Sequence, residues 1–166
     1  MPLTRQRAES KVEGIHGVSA GPFGPPKASS GGGPDMGMRR KDKEITDPAV
    51  LEAILRKGQV LHLGLADVGG QPYVVPLGYG YAPGEVVLHG AMKGLKLDLI
   101  RQNPRVSFNV VLRPELVRNP DPTEYSMRYI SVIGTGEAEI LEDPTEKQRC
   151  LDVLMGQYGG PQDPLP

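Results

Sequence analysis

Apolar residues recur along this chain at two different periods, and residues 86–110 show both. Val86, Val87, Leu88 and His89 form a short β-branched and apolar run that favours a strand. Gly90 and Ala91 are small enough for a tight strand-to-helix turn. From about Met92 the period lengthens: Met92, Leu95, Leu99 and Ile100 fall on one helical face. Asn103-Pro104 ends that helix, because a residue before proline is pushed out of the α region. Residues 105–110 then alternate as a strand.

The same reading extends in both directions. Asp47 caps a first helix whose first position suits Pro48, with Leu51, Ile54 and Leu55 as its buried stripe and Gly58 as its stop. Residues 60–66 alternate, with Leu61, Leu63 and Leu65 on one face. A turn at 67–70 leads to a second strand over 71–81, and Ala82-Pro83-Gly84-Glu85 turns into the run already described. Pro76 lies inside the second strand and removes a ladder donor, so that strand has an edge or a bulge there. After Val110 a long connection rich in proline and charge is predicted, then a strand over 129–141 bent at Gly134 and Gly136. Asp143-Pro144 opens a last helix lined by Leu151, Leu154, Met155 and Tyr158, with Cys150 as a small packing residue beside them. Helix, three strands, helix, two strands, helix is a mainly β (β+α) order. It points to a small β-barrel with peripheral helices.

Composition changes the picture mainly at the ends. The chain has 166 residues, 22 of them glycine and 17 proline, and these are not spread evenly. Residues 1–37 are expected to be a disordered Gly/Pro-rich tail, with a second possible start at Met36 or Met38. Residues 38–158 form the domain, and 159–166 a C-terminal tail. A net charge of -1 and 5% aromatics speak against nucleic acid as a partner, despite Arg39, Arg40, Lys41, Lys93, Lys96, Arg101 and Arg105. No apolar run is long enough to span a membrane, and the N-terminus has no apolar core of a secretory signal. One cysteine fits a reducing compartment, so the expected location is the cytoplasm. The three histidines, His16, His62 and His89, are scattered, so no metal site is expected.

The candidate chemistry sits in the opening stretch. Lys93 and Lys96, three apart, would share one side of a helix in its first turns, where the macrodipole disfavours cations. Two ammoniums beside free helical N–H groups make a phosphate site; the alternative is a pair of solvated surface lysines. No Walker loop, HExxH or G-x-S-x-G elbow is present, and the glycines of GYGYAPG lie in a hairpin rather than before a helix.

Taken together, MRRKDKEI, YVVPLGYGY, VVLHGAMKGLKLDLIRQNPRVSFNV and YISVIGTGEAEIL resemble the pyridoxamine 5′-phosphate oxidase-related flavoproteins, and within them the nitroimidazole-resistance (Nim) branch. The resemblance runs from about Met38 to Tyr158. It implies an FMN-binding split β-barrel, a homodimer with flavin in the cleft between subunits, and oxidoreductase activity on a small molecule, nitroaromatics among the candidates. Val74, Val75, Pro76 and Leu77 would run along the isoalloxazine. His89, Gly90 and Ala91 would lie beside the flavin, with Lys93 and especially Lys96 at its phosphate. His89 matches the histidine near the reactive edge in the Nim branch; its alternative role is a strand-end histidine bonded to backbone. Tyr129 and Ser131 would border the cleft, and His62 is structural. A different reading is a non-catalytic module for haem, deazaflavin or another flavin-like ligand. The family usually adds a segment after the last helix, and its absence from this sequence would leave barrel closure incomplete.

Overall fold

The computed structural model describes residues 3–9 (backbone only), 40–91 and 93–159. The first helix, α1 (Pro48–Lys57), forms as its sequence demands. The Asp47 carboxylate accepts from the Ala49 N–H at 2.9 Å, and the Gly58 N–H closes on Ile54 O at 3.0 Å. Leu51, Ile54 and Leu55 are buried, each contributing about 1.5–3 kcal/mol by leaving water. Strand β2 (Val60–Ala66) buries its three leucines. The turn to β3 (Pro72–Ala82) closes with the Gln71 N–H on Asp67 Oδ1, and Gly70 takes the positive φ of 85°. Strand β4 (Glu85–His89) is buried on both faces. Val86 and Leu88 join the barrel interior, whereas Val87 faces a second cluster with Leu141, Cys150 and Leu154. That is why it reads as an unbroken apolar run.

Helix α2 (Leu95–Gln102) leads to β5 (Arg105–Val117), β6 (Ser126–Leu141) and α3 (Pro144–Gly159). The strand following Val110 therefore persists seven residues beyond the expected break. The long connection shrinks to the segment between Val117 and Ser126. Pro114 is tolerated because the ladder shifts register between Leu112 and Glu115, with Arg113 at a φ of 51°. No shift occurs at Gly134 or Gly136. Gly134 instead leaves room for the Phe108 ring, which a Cβ there would strike.

Two helical stripes also differ from the periodic reading. In α2 the buried residues are Leu97, Leu99 and Ile100 while Leu95 is exposed, and Met92 lies outside the described residues. In α3 Cys150 and Leu154 are buried, and Leu151, Met155 and Tyr158 are exposed.

All ladders are antiparallel, and the strands close a barrel in the order β1-β4-β3-β2-β5-β6. Its first strand, β1, is Leu3–Glu9. This corrects the expectation that residues 1–37 are wholly a disordered tail: seven of them bridge β4 and β6 through backbone pairing. LTRQRAE carries no alternating apolar face, so composition hides a strand held by its ladder. It is also the element that closes the barrel. Residues 10–39 and 160–166 lie outside the described residues. Helix α1 plugs the interior at the start of β2. Helix α2 lies at the other end, where Asn103 Nδ2 donates to Ala66 O at 3.1 Å. Helix α3 covers part of the outer surface, crossing β3 at Gly80, where a Cβ would come within 2.9 Å of the Leu154 backbone. Gln157 ties it down, donating to Leu55 O and Gly58 O and accepting from the Tyr81 N–H.

Candidate functional site

The ladder between β3 and β4 is short. It pairs residues 79–82 with 85–88 only, whereas β2 pairs with β3 along residues 72–78. Val74, Val75, Pro76 and Leu77 are thus bonded on one edge, and among the described residues no strand takes the other. Val74 and Pro76 point outward, Val74 at 63% exposure, while Val75 and Leu77 pack against the core. The barrel is split along this edge.

His89 ends β4 level with the upper end of that edge. Its side chain is exposed, and no described residue hydrogen-bonds its ring. The chain then passes through Gly90, Ala91 and Lys93 to Gly94, whose φ of 132° suits only glycine and sets the start of α2. The helix therefore begins later than its periodicity predicts. Lys93 precedes the cap, so the two lysines do not share a helical face. The Leu97 and Asp98 N–H groups both close on Gly94 O, at 3.0 and 3.3 Å. The amides of Leu95 and Lys96 have no acceptor inside the helix.

Lys96 is the unusual group. Its side chain folds back so that Nζ occupies the space a Cβ on Gly90 would need. It is half-buried, burial lowers its pKa, and among the described residues no carboxylate pairs with it. Of the other basic residues in the same region of sequence, Arg101 pairs with Asp98 at 3.1 Å; near the N-terminal end of the domain, Arg40 pairs with Asp42 and Lys41 with Glu44. His89, Gly90, Ala91 and Lys96 therefore gather beside the free β3 edge.

Tyr129 and Ser131 do not join them within one chain. Register places Pro76, His62, Asn109 and Ile133 in one row across β3, β2, β5 and β6. Ser131 opposes Val111 one step further on, and Tyr129 faces the Arg113 bulge. Three strand spacings, about 14 Å, separate them from β3. Ser131 is 3% exposed and Tyr129 half-buried. His62 is exposed in the middle of the row rather than packed into the core.

That row belongs to a feature the motif reading missed. The outer positions Val60, His62, Gly64, Val74, Pro76, Ser107, Asn109, Val111 and Ile133 include no charged residue, and the patch ends at the exposed pair Arg105 and Glu137 on the same faces of β5 and β6. The signal was available: the residues alternating with the buried leucines of β2 are Val60, His62 and Gly64, where a solvated face would carry charge.

Comparison with known proteins agrees with the split. A model of the family described as pyridoxamine 5′-phosphate oxidase matches residues 47–165. The chain belongs to the pyridoxamine 5′-phosphate oxidase family. Among solved structures, a Bacteroides thetaiotaomicron protein assigned to 5-nitroimidazole antibiotic resistance is 32% identical, with a TM-score of 0.61 over 72% of this chain and 71% of that one. That similarity places the chain on the nitroimidazole-resistance branch of the family. An FAD- and haem-binding protein from Mycobacterium smegmatis is 24% identical, with a TM-score of 0.60 over 68% of this chain and 54% of its own. The flavocytochrome Anf3 of Azotobacter vinelandii is 22% identical, with a TM-score of 0.58 over 67% of this chain and 51% of its own. These last two share the fold, and this chain spans about half their length. The comparison with curated proteins returns no match. Among the described residues no helix is long and apolar enough to cross a membrane.

Proposed function

We propose that this member of the pyridoxamine 5′-phosphate oxidase family is an FMN-dependent oxidoreductase that reduces a small molecule, with nitroaromatics as the first class to test. One observation carries the reading: Lys96 is a half-buried ammonium without a described carboxylate partner, seated at Gly90 beside free helix amides. Burying such a charge is costly unless an anion compensates it, and a phosphate dianion at a helix N-terminus does so. The donor set fits FMN. Lys96 and the amides of Leu95 and Lys96 would hold the phosphate, with Lys93 nearby. The free backbone edge of Val74, Val75, Pro76 and Leu77 would meet the polar edge of the ring. Gly90 and Ala91 keep the approach open. FMN supplies the electron and hydride chemistry when bound. The chain's own part is to position it and to manage protons, and His89, exposed and with no hydrogen-bond partner among the described residues, is the group able to hold one at the open edge.

A two-fold homodimer belongs to this reading, because the uncharged outer patch and the open β3 edge both lack a wall among the described residues. The single cysteine fits a reducing compartment, and we place the protein in the cytoplasm.

The visible spectrum of the purified protein tests the function. Flavin bands, or their return on adding FMN, support it. A Soret band would favour a haem-binding module instead, and a colourless protein that FMN does not reconstitute would overturn it. In the flavin-loaded protein, His89→Ala is expected to change turnover more than FMN affinity.

A further inference from the structure

Strand β4 loses its β3 neighbour before it ends. The β3–β4 ladder runs from Ala82↔Glu85 to Tyr79↔Leu88 and stops there, one residue short of His89. Among the described residues, the strand residue paired with His89 is Leu3 of β1. Leu3 in turn faces Leu141, the last residue of β6, across its other edge. His89, Leu3 and Leu141 therefore form one row. Its far end is anchored, because Leu141 is 6% exposed and packs with Val87 against Cys150 and Leu154 of α3.

Among the described residues no other strand holds the near end. The His89 ring is exposed and has no described hydrogen-bond partner, so its side chain goes where the backbone puts it. Gly90 follows at once, with the Lys96 ammonium seated against it, and no further strand intervenes before α2. Strand β1 itself depends on its two ladders. LTRQRAE has no alternating apolar face, and residues 10–39 separate it in sequence from the next described element. A strand held by backbone pairing, with little apolar burial, opens at a lower cost than the barrel core. It also precedes residues 47–165, which the family model matches, so its contact with His89 is not part of the matched pattern.

We infer that β1 is a positioning element of the flavin site: through Leu3 it fixes the backbone of His89 and, one residue on, the Gly90 seat of Lys96. With β1 docked, the end of β4 is in place before a ligand arrives. With β1 out of its slot, that end must be ordered on binding, and the affinity falls by the fraction of competent molecules. The coupling is reciprocal, so a ligand held at Lys96 also tightens the docking of β1. The inference rests on the flavin site proposed above.

The test uses the full-length chain with its histidine rings labelled with nitrogen-15. Arg5→Pro combined with Gln6→Pro releases β1, because neighbouring residues of a strand bond opposite edges and proline cannot donate to either. The His89 ring signal is expected to shift and narrow. The His62 signal should stay, since His62 pairs with Pro76 and Asn109 on strands that β1 does not touch. FMN affinity should fall about tenfold. A synthetic peptide of residues 1–10, added in excess, should restore both, and FMN should raise the affinity of that peptide by the same factor. An unmoved His89 signal in a chain whose residues 3–9 exchange their amide protons freely overturns the proposal. So does loss of the whole barrel by circular dichroism, which would make β1 a general closing strand. If neither chain binds FMN, the flavin reading falls, and the His89 signal and its rescue by the peptide alone decide the role of β1.

Discussion

The ammonium of Lys96 lies where a methyl group on residue 90 would have to be. Gly90 therefore sets the position of the cation as well as the exit of β4. A Gly90→Ala chain keeps its fold, because the colliding atom is the end of a flexible side chain, but Lys96 must swing away. FMN affinity is expected to fall about tenfold, as for a displaced charge-assisted contact, with the melting temperature nearly unchanged. Paired fluorescence titration and thermal melts check this. Unaltered affinity would detach Gly90 from the site.

Burial lowers the pKa of Lys96 below the ordinary 10.5. Between the lowered value and 10.5 the folded chain holds fewer protons here than the unfolded chain, so apo-protein stability rises with pH in that window. Phosphate affinity moves the opposite way, because the ammonium is lost as pH rises. Titrating FMN from pH 7 upward should show affinity falling below pH 10.5, while Lys96→Arg, which stays charged, delays the fall. Parallel pH profiles for both chains would contradict the assignment.

Strand β1 makes a structural prediction opposite to the one composition suggests. Deleting residues 1–9 exposes the edges of both β4 and β6. A loss of a few kcal/mol would lower the melting temperature by about 5–10 °C in a chain of this size. Open edges also favour aggregation. A truncated protein with the parent's melting temperature would show that β1 contributes nothing to closure.

Much of this was legible in the residues, and the misses have physical causes. Asp47-Pro48, the leucines of β2 and the strand 86–89 announced themselves because capping and burial act locally. The family was legible from four stretches taken together, MRRKDKEI, YVVPLGYGY, the run through His89 and Lys96, and YISVIGTGEAEIL. What escaped depends on partners distant in sequence. LTRQRAE is a strand only because β4 and β6 offer it two edges. Leu95 obeys helical periodicity and yet is exposed, because Gly94 starts the helix late. Pro114 looked like a strand breaker but sits at a bulge. The distance of Tyr129 from β3 could be read only from register across four strands.

Two glycines offer an internal control on packing. A Cβ at Gly80 would press on the Leu154 backbone, whereas Gly156 in α3 has nothing within 4 Å. Gly80→Ala is expected to cost about 1–3 kcal/mol by pushing α3 off the sheet. Gly156→Ala should stabilise by about 0.5–1 kcal/mol through helix propensity and chain entropy. Urea midpoints for both variants check the sign of each.

The central claim, that Lys96 at the start of α2 holds the phosphate of a flavin beside the β3 edge, is tested most directly by titrating FMN and riboflavin into wild-type and Lys96→Ala protein. A charge-assisted contact of about 1.5–3 kcal/mol predicts a roughly ten- to hundredfold loss of FMN affinity. Riboflavin, which has no phosphate, should bind both chains alike. Equal FMN affinity in the two chains would contradict the account.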